Sequence, residues 1–206
     1  HSRPLESIKL VRRLLRVKTP VLPMSETPTD LMAFYPEGRC RVGEVSVDDM
    51  SMMPKSLMLA PLVKALPSCV DAILNADLII LGPGSFLTSV IPPLLIRDIS
   101  NALKQTNAHR VFIDNIVAEN SPAADLSLDQ KLAWIEDNIG CLPIDSAICH
   151  DSNVTSTRIG ICHHELSSDT VPHYHSRDKL IAALNICISK ANSRIETAPV
   201  TAINAK

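Results

Sequence analysis

The spacing of apolar residues changes partway along the chain. Up to about residue 64 they recur at helical or alternating positions, whereas residues 77–81 form an almost continuous apolar run after Asp77. Such a run, bounded by glycine, is typical of a strand buried on both faces of a parallel sheet. Residues 111–115 predict a second buried strand, and residues 93–106 predict a helix between the two. The pattern therefore predicts a strand–helix–strand unit with parallel strands.

The first 64 residues predict a helix followed by a β-hairpin. Residues 4–18 place apolar side chains three or four apart and basic side chains on a second stripe, which consists of Lys9, Arg12, Arg13 and Arg16. A solvated helix face is the favoured interpretation of that basic stripe, and a wall that attracts a phosphorylated ligand is the alternative. Residues 30–35 and 39–47 predict the hairpin strands, and residues 57–60 predict one further short strand.

The remainder of the chain continues the alternation of helices and strands. Ser127 and Gln130 form a capping box, and Gly140 stands where that helix should end. The other predicted elements are helices over 68–75 and 176–191, strands over 144–149 and 158–163, and a disordered tail over 192–206. We therefore predict a single α/β domain over residues 1–191, with the hairpin at 30–47 inserted into it.

Composition excludes several classes of function. A chain of 206 residues with net charge −2 and 3% aromatic residues lacks the basic field and the stacking rings of nucleic-acid-binding proteins. No apolar run approaches the length of about 20 residues that spans a bilayer, so no membrane partner is expected. The 6 cysteines are scattered without a paired motif, which favours reduced thiols and a cytoplasmic location.

The strongest local motif follows the first buried strand. Gly82, Pro83, Gly84 and Ser85 stand at the carboxyl end of that strand, where open α/β sheets bind ligands. Glycines let backbone N–H groups approach a phosphate, and the hydroxyl groups of Ser85, Thr88 and Ser89 add donors. The alternative is a tight turn that needs glycine only for its backbone conformation.

Polar residues also end the second buried strand. Asp114 and Asn115 can face the same crevice, where Asn115 would bind a sugar or base, or would simply cap the strand. A cluster near the C-terminus contains sulfur and imidazole groups: Cys149, His150, Asp151, Cys162, His163, His164, Glu165, His173 and His175. Its spacing fits no zinc template, so we expect no metal site there.

Four phrases together resemble one known family. They are LPMSETPTDLM at 22–32, VGEV at 42–45, ADLIILGPGSFLTS at 76–89 and VFIDN at 111–115. In this order they resemble the gluconeogenesis-factor branch of the CofD-like family, which is named for 2-phospho-L-lactate transferase, and the resemblance covers about residues 1–190. It implies a Rossmann-like, three-layer α/β fold with a mostly parallel sheet that binds a nucleotide or a nucleotide sugar.

The two branches of that family imply different functions. The gluconeogenesis-factor branch implies a regulator that binds UDP-sugars such as UDP-N-acetylglucosamine and affects cell shape and envelope synthesis on gluconeogenic carbon. The transferase branch implies transfer of a phospholactyl or phosphoenolpyruvyl group to a deazaflavin with a divalent metal such as Mg²⁺.

The chain departs from the family at two places. The family begins with a glycine-rich strand-to-helix turn and an Asp-Asn-Gly-Gly-Ser-type segment, so we expect the first strands of the sheet and half of the nucleotide site to be missing here. The family's late Arg-His-Asp phrase corresponds to Tyr174, His175 and Ser176. Arg177 is close enough to replace the missing arginine.

These observations leave three hypotheses of different classes. The leading one is a cytoplasmic regulator that binds a nucleotide sugar or another phosphorylated small molecule. The second is a phospho-group transferase in which Asp114 is a candidate base. The third is a scaffold that contacts a partner through the hairpin at 30–47, and a homo-oligomer is also left open.

Overall fold

Two separate sheets organise residues 3–197, which are the part of the chain described by the computed structural model. The strands are β1 (Asp30–Phe34), β2 (Cys40–Val42), β3 (Ser56–Ala60), β4 (Leu78–Leu81), β5 (His109–Ile113), β6 (Ser146–Cys149) and β7 (Gly160–His163). The α-helices are α1 (Pro4–Leu14), α2 (Glu44–Asp48), α3 (Pro67–Leu74), α4 (Ile91–Leu94), α5 (Arg97–Gln105), α6 (Leu128–Ile139) and α7 (Arg177–Thr197).

The parallel sheet has the order β4-β5-β6-β7, and each neighbouring pair is parallel. Alternate residues of its strands face two different cores. Val111 and Ile148 pack with α7, whereas Phe112 and Ala147 pack toward α5 and α6. Helices on both faces of a parallel sheet make the predicted three-layer, Rossmann-like α/β fold, which is confirmed.

One strand of this sheet is less buried than its sequence indicates. β4 lies at the edge of the sheet among the described residues, and Ile80 is 43% exposed. The prediction that this strand is buried on both faces is therefore wrong. Ile79 and Leu81 point to the larger core, so the apolar run still supplies one buried face.

The predicted hairpin is present but shorter, and it belongs to a three-stranded antiparallel sheet. β1 pairs with β2 on one side and with β3, the predicted short strand, on the other. The prediction that the second hairpin strand reaches residue 47 is wrong. Gly43 has φ +90°, a conformation that favours glycine, and the chain then turns into α2, which buries Val47 completely.

The segment after β4 is helical earlier than predicted. A π-helical turn (Phe86–Val90) leads directly into α4, and α5 begins only at Arg97. Pro92 and Pro93 have no N–H to offer the carbonyl groups four residues before them, which disfavours regular α-helical hydrogen bonding there. The single helix predicted over 93–106 is thus two helices, preceded by a π turn.

The first helix packs against little else in the described chain. α1 ends at Leu14 rather than at residue 18, and none of its residues is buried. Leu10 is 67% and Leu14 is 80% exposed. Lys9 and Arg13 are exposed as well, in agreement with a solvated basic face.

The C-terminal half follows the prediction closely. The capping box of Ser127 and Gln130 begins α6, and Gly140 ends it in the left-handed conformation. α7 extends six residues beyond the predicted end at 191, and residues 198–206 of the predicted tail lie outside the described residues. No helix within residues 3–197 combines the length and the apolar character needed to cross a bilayer.

An ion pair at the amino edge of the parallel sheet predicts a pH dependence of stability. The Arg110 guanidinium donates hydrogen bonds to Asp145 at 2.8 and 2.6 Å. Burial raises the pKa of Asp145, but its hydrogen bonds with Arg110 outweigh burial and lower the pKa below its ordinary value. The pair therefore stabilises the fold above the unfolded pKa of about 3.9, and this stability is lost as pH falls through the folded pKa.

The measurement is urea unfolding between pH 6 and pH 3. We expect Asp145→Asn to lose less unfolding free energy on acidification than the unchanged chain, because the titrating partner is gone. Asp137→Asn is the control, since Asp137 is an exposed residue of α6. Equal losses in the unchanged chain and in Asp145→Asn would contradict the assignment.

Candidate functional site

The candidate site lies where the parallel strands end. The Gly82–Ser85 loop follows β4, and Asp114 and Asn115 follow β5. The Asn115 side-chain amide donates a hydrogen bond to the Gly84 carbonyl at 3.2 Å. The two loops therefore form one continuous wall at the carboxyl edge of the sheet, which is where such sheets bind ligands.

Glycine is required in this loop by its backbone and its neighbours. Gly82 has φ +77°, and a Cβ atom on it would lie 3.0 Å from the Ile113 carbonyl oxygen. A Cβ atom on Gly84 would lie 3.0 Å from the Cβ of Ser89. The tight turn after β4 explains why residue 82 is a glycine, and the nearby end of β5 leaves no room there for a side chain. The role of both glycines in anion binding stays a prediction.

The hydroxyl groups of the loop are directed at a carboxylate. Ser85 donates to Asp48 at 3.2 Å, and Thr88 donates to the other oxygen of Asp48 at 2.8 Å. Thr88 is buried, whereas Ser89 is exposed. A second carboxylate, Glu119, accepts the backbone N–H of Phe86 at 2.9 Å. The carboxylates of Asp48 and Glu119 thus accept hydrogen bonds from donors that the loop could otherwise offer to a ligand.

The Asp114 carboxylate is held by a lysine. The Lys131 ammonium group, which α6 supplies, lies 2.8 Å from an oxygen of Asp114. The two side chains are only 10% and 16% exposed, respectively. Asp114 is also fixed through its backbone N–H, which donates to the Ile148 carbonyl. The candidate base is therefore an anchored and charge-compensated carboxylate.

Among the candidate residues Tyr174, His175 and Arg177, His175 is the one that lies at the carboxyl edge of the parallel sheet, near Asp114. Burial lowers the pKa of His175, nearby His150 lowers it further, and a hydrogen bond with the Asp114 backbone opposes this. The His175 Nε2 atom is buried and has no hydrogen-bond partner. Tyr174 is 63% exposed, and Arg177 at the start of α7 is exposed as well.

The neighbouring thiol is not a nucleophile at neutral pH. Cys149 is fully buried at the end of β6. Burial, followed by the nearby Asp114 carboxylate, raises the pKa of Cys149 to about 12. A thiol must be deprotonated to attack, so this cysteine has a packing role.

Several titratable groups of the C-terminal cluster are held by contacts with the backbone or with a lysine outside the cluster. His150 accepts the backbone N–H of Leu166 at 3.1 Å, and Lys179 forms ion pairs with Glu165 and Asp169. Within the described part of the chain, no three His, Cys, Asp or Glu side chains are grouped so as to hold a metal ion.

Three charged residues that contact the predicted site residues, namely Asp48, Glu119 and Lys131, could not be identified from the sequence. Asp48 lies where the pattern predicts the end of a strand and a connection, and Glu119 lies in a loop without periodicity. Lys131 lies in a correctly predicted helix. The signal for Lys131 was its place on the first turns of that helix, but its partner could not be identified from spacing.

A Rossmann-like sheet with a glycine loop and polar strand ends defines a class of proteins that bind ligands at the carboxyl edge of a parallel sheet. Residues 1–192 match the family described as "2-phospho-L-lactate transferase CofD". The chain belongs to this family.

Two bacterial relatives are similar over most of the chain. A protein of Pasteurella multocida named "Putative gluconeogenesis factor" is 41% identical over 90% of this chain and 61% of its own length. A protein of Yersinia pestis with the same name is 42% identical over 92% of this chain and 63% of its own length. The chain therefore spans about three fifths of these relatives.

A solved structure supports the fold. The crystal structure of a UPF0052-family protein from Bacillus halodurans has a TM-score of 0.77 and 24% identity to this chain. The match covers 89% of this chain and 67% of that protein. At this identity the likeness supports the fold alone.

Proposed function

We propose that the chain binds a nucleotide sugar of the UDP-N-acetylglucosamine type at the carboxyl edge of its parallel sheet, and acts as a cytoplasmic regulator of cell shape and envelope metabolism during gluconeogenic growth. The observation that carries the binding proposal is the hydrogen bond between Asn115 and Gly84. It joins the loops after two neighbouring strands into one wall. The names of the relatives support the link to gluconeogenesis.

The chemistry of the wall suits the two ends of such a ligand. Gly84 has no side chain to keep a diphosphate away from the backbone N–H groups of its loop. The Asn115 amide nitrogen already donates to the protein, but its carbonyl oxygen is an acceptor that suits a sugar hydroxyl or a base N–H. Lys131 compensates the charge of Asp114, so this carboxylate repels an anionic ligand less.

The second candidate function is transfer of a phospho group, which the name of the matching family favours. In this role Asp114 would be the base. Its carboxylate already accepts a hydrogen bond from the Lys131 ammonium group at 2.8 Å, so this oxygen is engaged within the protein. This arrangement favours binding over transfer.

The test is calorimetric titration of the 206-residue chain with UDP-N-acetylglucosamine, UDP and N-acetylglucosamine. We expect saturable one-to-one binding of the nucleotide sugar and weaker binding of UDP. At about 100 times its dissociation constant the ligand should stabilise the fold by about 2.7 kcal/mol, which a melting curve detects. Absence of binding to a folded chain would overturn the proposal.

Phosphorus NMR separates the two candidate functions. For a binding protein we expect the phosphorus resonances of bound UDP-N-acetylglucosamine to shift without new covalent species. New phosphorus species formed with a nucleotide-activated lactyl donor and a deazaflavin acceptor would support the transferase.

A further inference from the structure

We propose that Asp48 is a positioning residue that sets the hydrogen-bonding polarity of the Gly82–Ser85 loop and selects against free phosphate. This inference rests on the proposed function, because it assigns parts of the nucleotide-sugar ligand to parts of that site. Asp48 acts through Ser85 and Thr88, and neither the sequence pattern nor the relatives' names point to it.

The geometry fixes where the two hydroxyl hydrogens point. One oxygen of Asp48 lies 3.2 Å from the Ser85 hydroxyl, and the other lies 2.8 Å from the Thr88 hydroxyl. A carboxylate only accepts hydrogen bonds, and a hydroxyl group has a single hydrogen. Ser85 and Thr88 are therefore the donors in both bonds, and their hydrogens are not available to a ligand.

Both sides of this contact are held by the fold. Asp48 is the last residue of α2, which is anchored by the fully buried Val47. On the other side, the Ser85 carbonyl accepts hydrogen bonds from the backbone N–H groups of Ser89 and Val90. Thr88 is 7% exposed, and a buried hydroxyl without a partner would be costly. The contact is therefore part of the folded structure.

Because Asp48 takes the hydroxyl hydrogens, the loop offers a ligand hydrogen-bond acceptors on its Ser85 side and backbone N–H donors on its glycine side. The half-buried Ser85 hydroxyl offers only lone pairs, which suit a group that donates hydrogen bonds, such as a sugar hydroxyl or an acetamido N–H. The negative charge of Asp48 opposes a phosphate dianion at the same place. We therefore assign the sugar of the ligand to the Ser85 side and the diphosphate to the backbone of the two glycines.

The test compares Asp48→Asn with Asp49→Asn, using inorganic phosphate and UDP-N-acetylglucosamine as probes. The carboxamide introduced by Asp48→Asn would accept from one hydroxyl and donate to the other, which frees one hydroxyl hydrogen and removes one negative charge. We expect Asp48→Asn to bind inorganic phosphate at least tenfold more tightly than the unchanged chain. Asp49 is an exposed neighbour, so Asp49→Asn should stay within twofold.

The gain in phosphate affinity distinguishes selection from a merely structural role. Loss of a structural contact would weaken the binding of both probes, whereas Asp48→Asn should strengthen phosphate binding relative to the nucleotide sugar. Equal phosphate affinity in all three proteins, or no phosphate binding by Asp48→Asn when its melting curve shows a folded chain, would overturn the inference. Failure of the proposed function would appear separately, as absence of UDP-N-acetylglucosamine binding by the unchanged chain.

Discussion

Replacing Lys131 with methionine is expected to lower the free energy of unfolding by about 3 kcal/mol. Lys131 lies 2.8 Å from Asp114, and the two side chains are 10% and 16% exposed. Removal of the ammonium group leaves a carboxylate that is mostly buried and uncompensated at the end of β5. Urea unfolding at neutral pH measures the loss.

Two further variants separate the ion pair from other effects of the substitution. Lys104→Met removes a lysine from the exposed face of α5 and should change the unfolding free energy by less than about 0.5 kcal/mol. Adding Asp114→Asn to Lys131→Met should restore part of the loss, because no buried charge then remains. A loss below about 1 kcal/mol in Lys131→Met, or no recovery in the double variant, would contradict the role given to this pair.

Replacing Gly84 with valine is expected to weaken the binding of UDP-N-acetylglucosamine by at least about 100-fold, because the valine side chain would block the phosphate site. A Cβ atom at this position would already lie 3.0 Å from the Cβ of Ser89. The larger valine side chain would displace Ser89 and fill the space through which a diphosphate approaches the backbone. Calorimetric titration of the variant measures the loss.

The control for this substitution adds the same bulk elsewhere. Ala72 is exposed on α3, and Ala72→Val should keep the affinity of the unchanged chain. A melting curve of Gly84→Val checks that the fold persists, because the Cβ atom of Ser89 is fixed to the backbone and can move only with it. Unchanged affinity in a folded Gly84→Val protein would remove this loop from the binding site.

The elements predicted from sequence are those that local patterns determine. Ser127 and Gln130 form a capping box within four residues of one another, so α6 could be placed with its correct start and end. The apolar runs around Ile79 and Phe112 predicted β4 and β5 for the same reason. The alternating apolar residues over 43–47 predict a strand, but burial of Val47 and the backbone of Gly43 favour a helix.

The site could be predicted only in part, because its parts come from distant segments. Parallel strands end at one edge, so Gly84 and Asn115 could be expected to meet, and they do. Asp48 lies 37 residues from Ser85 along the chain, and Glu119 lies 33 residues from Phe86. Local spacing contains no information on such pairs, since only the packing of α2 and the loop after β5 brings them together.

The most direct test of the binding proposal is a titration of the isotopically labelled chain with UDP-N-acetylglucosamine, followed by backbone amide NMR. We expect the largest shifts at the amides of Gly82, Gly84, Ser85 and Asn115, which form the wall at the carboxyl edge of the sheet. Large shifts confined to other parts of the chain, or no shifts at saturating ligand, would contradict it.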